Sequence, residues 1–490
     1  MKCFIVAFLE LIRKVKTHIV FSMAVEDKLY RFLNFYKITP DWIKRILVLP
    51  FSIFPQEKYL GKEYKTMLQE AMLYEFESEE RIKEYQFLKL KQLLEDANYH
   101  IPFYREKWRE YGIRLNSIQS LDDFSKIIPY TTRLDVQQNS TAFISEKYSP
   151  SEYMKINSGG STGIPLELYY LKGYTRIAYK VYINQIWGRF GYKMGDRYAR
   201  LRGDYIGKDR LYTFDPYRNS LILSSFALNE GNADYYLDLL YKYKVKFIGA
   251  YPASLYTLIQ FSKRKTFQIP SLKALMIGSE NILDFQVEKM KSFFQLDNIS
   301  ISYGHGEFTN ISGNCEQSFD YHFFPAYSYP EFCDTSDSLS LGDENIKEIV
   351  GTAFLNPVMP LIRYCSQDFG IVGSSKCNCG RNHQSLSKII GRKQEVAIGY
   401  NGEKITLTAL IFGRHMEYMN HIIKMQVINY EPGKLILKVI PKKSFNEAHR
   451  LELNNSFSKK DGLPFESLVQ IVDEIESSSR GKHKFFIKTF

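Results

Sequence analysis

The sequence predicts an α/β chain: a large N-terminal domain of parallel or mixed sheets with helical crossovers, then a small α+β domain. Three observations carry this. Between Val245 and Glu307, strand-like and helix-like stretches alternate every ~25 residues, the rhythm of parallel strands joined by helices. The strands of that stretch end on small or polar clusters, Gly249-Ala250-Tyr251, Gly278-Ser279-Glu280 and Tyr303-Gly304-His305-Gly306-Glu307. Ligands bind beyond the carboxyl ends of parallel strands, so the three clusters point to one site. After "IIGRKQEV" the texture changes to a compact hairpin–helix–strand module, which places the boundary near Gly391, with domains 1–391 and 392–490.

In chain order, residues 1–64 read as an N-terminal helical extension. Its first apolar run is interrupted by Glu10, Arg13, Lys14 and Lys16, too short to span a bilayer and without a signal-peptide cleavage pattern. A helix packed on the domain or lying on a membrane surface fits it. Residues 65–100 read as helix, rich in helix formers and poor in breakers. Pro102 opens another in "IPFYREKW". "YMKI" and "PLELYY" read as strands on either side of "NSGGSTGI", where Gly159, Gly160 and Gly163 alternate with Ser158, Ser161 and Thr162. Glycines with hydroxyls let a backbone approach and wrap a phosphate. A Walker loop joins strand to helix and ends in GK[ST]; this loop joins strand to strand and runs into Ile164, which argues against a P-loop enzyme. Further on, Pro252 opens the helix "PASLYTLIQFSKRK", and "NILDFQVEKMKSFF" is the next helix. In the tail, "IKMQVINYEPGKLILKVI" is a hairpin turning at Pro432-Gly433, followed by the helix "NEAHRLELNNSF" and the strand "SLVQIVDEI".

The 490 residues allow a large core and more than one domain, and 44% apolar with 24% charged residues is ordinary for a globular protein. The net charge of +11 is dispersed, without basic runs or a nucleic-acid-binding motif, so no nucleic-acid partner is expected. Six cysteines are too few for a disulfide scaffold and fit a reducing, cytoplasmic setting, with a peripheral place at the inner membrane face as the variant the basic N-terminal segment suggests.

Taken in order, the Ser/Gly/Thr loop, Gly278-Ser279-Glu280, the Tyr303–Glu307 segment, "IRYCSQDFG" with Asp368, Gly391-Arg392 and Lys482 in "RGKHKFF" resemble the adenylate-forming superfamily of acyl-CoA synthetases, luciferases and peptide-synthetase adenylation domains. The resemblance covers roughly residues 80 to 490. The short spacing, the "CNCGR" segment and the compact tail look most like the phenylacetate–CoA ligase branch and its capsular-polysaccharide-biosynthesis relatives.

The resemblance implies a mobile C-terminal domain and ATP with Mg²⁺. It also implies activation of a small carboxylic acid as acyl-AMP, then acyl transfer, with CoA as the expected acceptor. A sugar precursor or carrier protein in surface polysaccharide synthesis is the alternative acceptor, and a non-catalytic nucleotide-binding descendant the alternative class. By the same resemblance, Ser158–Gly163 hold the β- and γ-phosphates, and Gly278, Ser279, Glu280, Tyr303, Gly304 and His305 line the nucleotide site. Glu307 binds Mg²⁺, Asp368 the ribose hydroxyls, Arg392 ribose and phosphate, and Lys482 neutralises charge on the transferring phosphate. Tyr251 and Gly306 are placed in the acid pocket, with the helix after Tyr170 behind them. Three departures stand out: Gly306 where relatives carry Thr or Ser, no lysine after the glycine loop, and a hinge position falling on Gln394 or nearby.

A separate set, Cys315 and His322 with Cys377 and Cys379, has the composition of a Cys₃His structural zinc site. His383 competes as a ligand, and buried cysteines with a surface histidine are the alternative reading.

Overall fold

The computed structural model describes residues 39, 43–44, 60–157, 166–204, 206, 210–334, 345–373, 377–392, 395–406, 417–458, 463–476 and 483–490. Most of the 1–64 extension, all of the glycine loop beyond Asn157, the hinge residue Gln394 and Lys482 lie outside the described residues.

The stretch expected as helix over 65–100 is helical except for a break between two helices, Gly61–Leu73 and Glu79–His100. The break has a local cause. Ser78 is extended, and its side chain accepts a hydrogen bond from the Arg81 N–H, so a new N-terminus is capped there. Pro102–Glu110 follows, with proline in its first turn as expected. The strands Tyr153–Asn157 and Glu167–Leu171 pair antiparallel and so bring the two ends of the glycine loop together. These helices, the hairpin and the helix Thr175–Gly188 close over one apolar core that includes Trp108, Leu168, Tyr182 and Phe308.

A nine-stranded sheet forms the second layer. Its centre is parallel, in the order Ser220–Ser224, Tyr198–Arg202, Phe247–Ala250, Ala274–Gly278, Ile299–Gly304. The expected alternation holds: the helices Pro252–Phe261 and Asp284–Phe294 are its crossovers. Antiparallel strands flank it, Tyr212–Asp215 on one edge and Ile311–Gly313, Tyr321–Phe323 and Ser385–Leu386 on the other. A second, antiparallel sheet, Ser328–Cys333, Ile346–Ala353, Tyr364–Ile371 and Lys388–Arg392, carries "CSQDFG" and Gly391-Arg392 on adjacent strands, with Asp368 paired to Arg392 in register.

The C-terminal hairpin Ile422–Glu431 and Lys434–Pro441 turns where expected, with Gly433 at φ 73°, a conformation glycine adopts without strain. Glu466–Ile471 and Phe486–Lys488 add parallel strands outside it, and the Asn446-capped helix Glu447–Ser456 completes a core of its own around Val427, Leu437 and Phe465. This unit docks on the helix Pro252–Phe261. The Gln260 amide donates to the carbonyls of Met419 and Ile422 at 3.1 and 2.9 Å and accepts from Lys442 Nζ at 2.8 Å. No helix among the described residues is long and apolar enough to cross a membrane.

Candidate active site and metal centre

The parallel strands deliver Gly278, Gly304 and the residues after them to one edge of the sheet. Tyr303 is the last large side chain before the turn, and its hydroxyl donates to Asp368 Oδ2 at 2.9 Å. Arg392 Nε donates to Asp368 Oδ1 at 2.9 Å. Each carboxylate oxygen therefore has one donor and one lone pair still free to accept from a ligand hydroxyl. The Asp368 N–H is itself held by Ser366 Oγ at 3.0 Å, fixing the aspartate from below. The charge of Asp368 holds the Arg392 guanidinium well above its usual range. Burial and the same aspartate push the Tyr303 phenol far up, so it stays a donor.

Glu307 is also buried. Burial alone would raise its pKa. The His305 hydrogen bond and charge, with the Arg392 charge, outweigh it and hold the carboxyl at about 2. His305 Nδ1–H donates to Glu307 Oε2 at 3.1 Å, and Arg133 Nη1 lies 3.8 Å from Oε1. An ionised, buried carboxylate is what a hard divalent cation binds. Gly306 is fixed through its carbonyl, which accepts from the Tyr170 hydroxyl. An added Cβ there would meet Tyr170 Oη and Leu168 at 3.7 and 3.8 Å, ordinary contact, so sterics alone do not demand glycine. Ser279 at φ 69° and Phe308 at φ 67° hold left-handed backbone on either side of these residues, a strain that clusters at functional sites.

Glu280 lies where the two cores meet. It accepts from the Ala253 N–H at 3.4 Å and from the His483 N–H at 3.1 Å. His483 is further held by its ring, whose Nε2–H donates to the Met425 carbonyl at 2.8 Å. The residue next to Lys482 is thus tied to a strand-end glutamate.

The sequence reading missed Arg133, Tyr170 and Glu395. "TTRLD" carried a usable signal for a helix start, realised as a Thr132–Asp135 capping box. Nothing local says that Arg133 reaches Glu307. Glu395 is half-buried beside Asp368 and Arg392, and its carboxylate accepts from Asn281 at 2.7 Å. Burial lifts its pKa to about 7, against the opposing pull of Arg392.

On the antiparallel edge of the same sheet, Cys315, His322, Cys377 and Cys379 converge, their ligand atoms all within 4.8 Å of one another. Cys315 Sγ lies 3.5 Å from Cys377 Sγ, and Cys379 Sγ 3.7 Å from His322 Nε2. Backbone N–H groups of Gln317 and Ser318 point at Cys315 Sγ at 3.3 Å each, the arrangement that stabilises a thiolate. Gly380 at φ 81° makes the tight turn behind the two knuckle cysteines. Burial, with the nearby arginines, keeps His322 neutral, its pKa lowered to about 3. These residues fit a tetrahedral zinc. His383 does not join them: its Nε2–H donates to the Tyr74 carbonyl at 3.1 Å.

With this geometry in place, known proteins give the family context. Residues 398–489 match the CapK C-terminal domain. The chain is 24% identical over 340 residues to phenylacetate-coenzyme A ligase of Thermus thermophilus, covering 67% of this chain and 75% of that protein. It is 20% identical over 377 residues to protein CapK of Staphylococcus aureus, covering 74% and 79%. The chain is thus distantly similar to phenylacetate-coenzyme A ligase and to CapK over most of its length. Its fold matches 2-hydroxyisobutyryl-CoA ligase in the postadenylation state in complex with R3-HIB-AMP, with a TM-score of 0.65 at 17% identity over 85% of this chain and 91% of that one. In this fold Gly278 and Tyr303 lie on the large mixed sheet, Asp368 and Arg392 on the antiparallel sheet, and the CapK-like unit begins just past the Gly391-Arg392 strand.

Proposed function

We propose that this chain activates a small carboxylic acid with ATP, forming acyl-AMP and pyrophosphate, and passes the acyl group to CoA. The observation that carries the reading is Asp368: a buried carboxylate at the sheet edge, each oxygen already positioned by one donor and each with capacity for one ribose hydroxyl. A nucleotide seated there has its phosphates toward Glu307 and the glycine loop Ser158–Gly163, whose two ends the Tyr153–Asn157 and Glu167–Leu171 pair brings together.

In the proposed reaction, the acid's carboxylate oxygen attacks the α-phosphorus, the bond to the β-phosphate oxygen breaks, and pyrophosphate leaves with that electron pair. Glu307 would hold Mg²⁺, which neutralises charge on the phosphates. Arg392, held by Asp368, faces the ribose and phosphate. Lys482, one peptide from the Glu280-bound His483, supplies a positive charge to the transferring phosphate. The chain is read as two domains, 1–391 and 392–490, the second turning between the two half-reactions. Zinc in the Cys₃His site is structural in this reading, because it sits on the antiparallel edge of the sheet, away from the carboxyl ends of the parallel strands.

The test is a screen of carboxylic acids for ATP–pyrophosphate exchange, repeated for thioester formation with CoA. Acid-dependent exchange without thioester would support the other acceptors, a sugar precursor or carrier protein. Nucleotide binding without exchange on any acid would instead favour a non-catalytic descendant.

A further inference from the structure

The acid itself is addressed by the strands beyond the nucleotide end. Alternate residues of a strand share a face. The ladder pairs Arg200 with Gly249, Gly249 with Met276 and Met276 with Ser300, so these four form one row across the sheet. Two residues further on, Arg202, Tyr251 and Gly278 form the next row of the same face, because the Tyr251 N–H continues the ladder by donating to the Leu201 carbonyl at 3.3 Å. Gly249 and Gly278 put no side chain into the middle of those rows. A Cβ on Gly278 would come within 2.5 Å of Ser302 Oγ, and one on Gly249 would meet only a carbonyl at 3.5 Å. Met276 and Ser302 close this face toward Ser300, so the hollow the glycines leave open is at Gly249, beside Arg202 and Tyr251. Ser300 Oγ is buried and has no hydrogen-bond partner among the described residues.

The charges around this hollow are not balanced alike. Arg200 is paired with Asp204 at 2.8 Å. Glu280 is held by the N–H of Ala253, at the positive N-terminus of the helix Pro252–Phe261, and by the N–H of His483. Arg202 makes no ion pair among the described residues; its guanidinium lies 5.8 Å from the centre of the Tyr251 ring and is half-buried. A half-buried cation on an aromatic face, without a carboxylate, is a ready receptor for an anion.

We infer that the acid activated at this site carries a second anionic group, and that Arg202 receives it. The inference rests on the adenylation reading, since it takes the strand ends at Gly278 and Tyr303 as the place of the reacting carboxylate. Two strand spacings, about 10 Å, separate the Arg202 strand from the Gly278 strand, and the arginine side chain spans part of that. The acid is accordingly short, with on the order of three to five carbons between its two anionic ends. Arg202 is a specificity-determining residue here. Tyr251 keeps its guanidinium in place.

The experiment compares ATP–pyrophosphate exchange on matched acids: glutarate against pentanoate, adipate against hexanoate, and glutarate against its monomethyl ester. The wild-type protein is expected to favour the dianion of each pair by about 10- to 100-fold in kcat/KM, the scale of one charge-assisted contact. Arg202→Gln should bring that ratio close to one, and Arg202→Lys should restore part of it. Thermal unfolding of each variant separates lost recognition from lost folding. A wild-type preference for the uncharged or an ω-amino acid overturns the inference and leaves adenylation standing, as does a ratio that Arg202→Gln does not change. Exchange with none of the acids, charged or not, overturns the adenylation reading and this inference together.

Discussion

Two clusters, one at the carboxyl ends of the large sheet's parallel strands and one on its antiparallel edge, answer their polar groups differently. At the carboxyl ends of the parallel strands, Asp368, Tyr303 and Arg392 satisfy one another, and Glu307 has His305 and Arg133. That network is complete as it stands and keeps spare lone pairs for a ligand. On the antiparallel edge, three thiols and an imidazole face mainly each other. Such a set has little reason to converge without a cation between them. On the proposed reading the first cluster binds and releases a ligand, and the second stays filled by zinc. Removing a member should therefore damage activity in one case and stability in the other.

The largest effect is expected at the metal centre. Purified untagged protein should hold about one zinc per chain. Cys377→Ser and Cys315→Ser should each lose it and cost on the order of 3 kcal/mol or more, read by elemental analysis and thermal unfolding. Metal-free wild type with unchanged stability in both variants would dissolve the contrast. Asp368→Ala comes next. It should fold, yet lose ~2–4 kcal/mol of transition-state stabilisation through misplaced nucleotide, read as acid-dependent pyrophosphate release. Wild-type-like release would remove the nucleotide role from the first cluster.

Lys482→Ala should reduce acyl-AMP formation by roughly 10²-fold and leave transfer from supplied acyl-AMP nearly intact. Equal damage to both halves would make it a general binding residue. The smallest effect sharpens the boundary between the two cores. Glu395 titrates near 7 when folded, above its ordinary 4.5, so the protonated form is the one the fold favours. Its contribution is fully present below about pH 4.5 and is lost as the pH rises through 7. Glu307 has the opposite sign: depressed to about 2, it stabilises above pH 4.5 and is lost as the pH falls toward 2. The unfolding free energy between pH 5 and 8 should fall less steeply in Glu395→Gln than in wild type, by on the order of 1 kcal/mol. Parallel curves would show that Glu395 does not titrate in this window.

What the sequence disclosed followed from local grammar. The alternation from Val245 to Glu307, the Pro252 helix start and the Pro432-Gly433 turn are properties of neighbouring residues, and they appear as read. The 65–100 helix was misjudged at Ser78, because a capping serine inside a helix-forming stretch changes composition very little. Asp368 and Glu307 could be picked out because they sit in ordered motifs, while their burial could not. Arg133 and Glu307, or Arg202 and Tyr251, meet only through the tertiary fold, and no spacing announces them. Glu395 lies one residue past the hinge position that the sequence suggested, and only its environment, between Asn281 and the Asp368–Arg392 pair, marks it.

The central claim is that the strand-end cluster binds ATP and drives carboxylate attack on its α-phosphate. Its most direct test is isotope exchange between pyrophosphate and ATP, with Mg²⁺, over a panel of short mono- and dicarboxylic acids and without CoA. The account predicts exchange that requires the acid and falls by ~30-fold or more in Asp368→Ala. Acid-independent exchange, or none with any acid while the protein is folded, would contradict it.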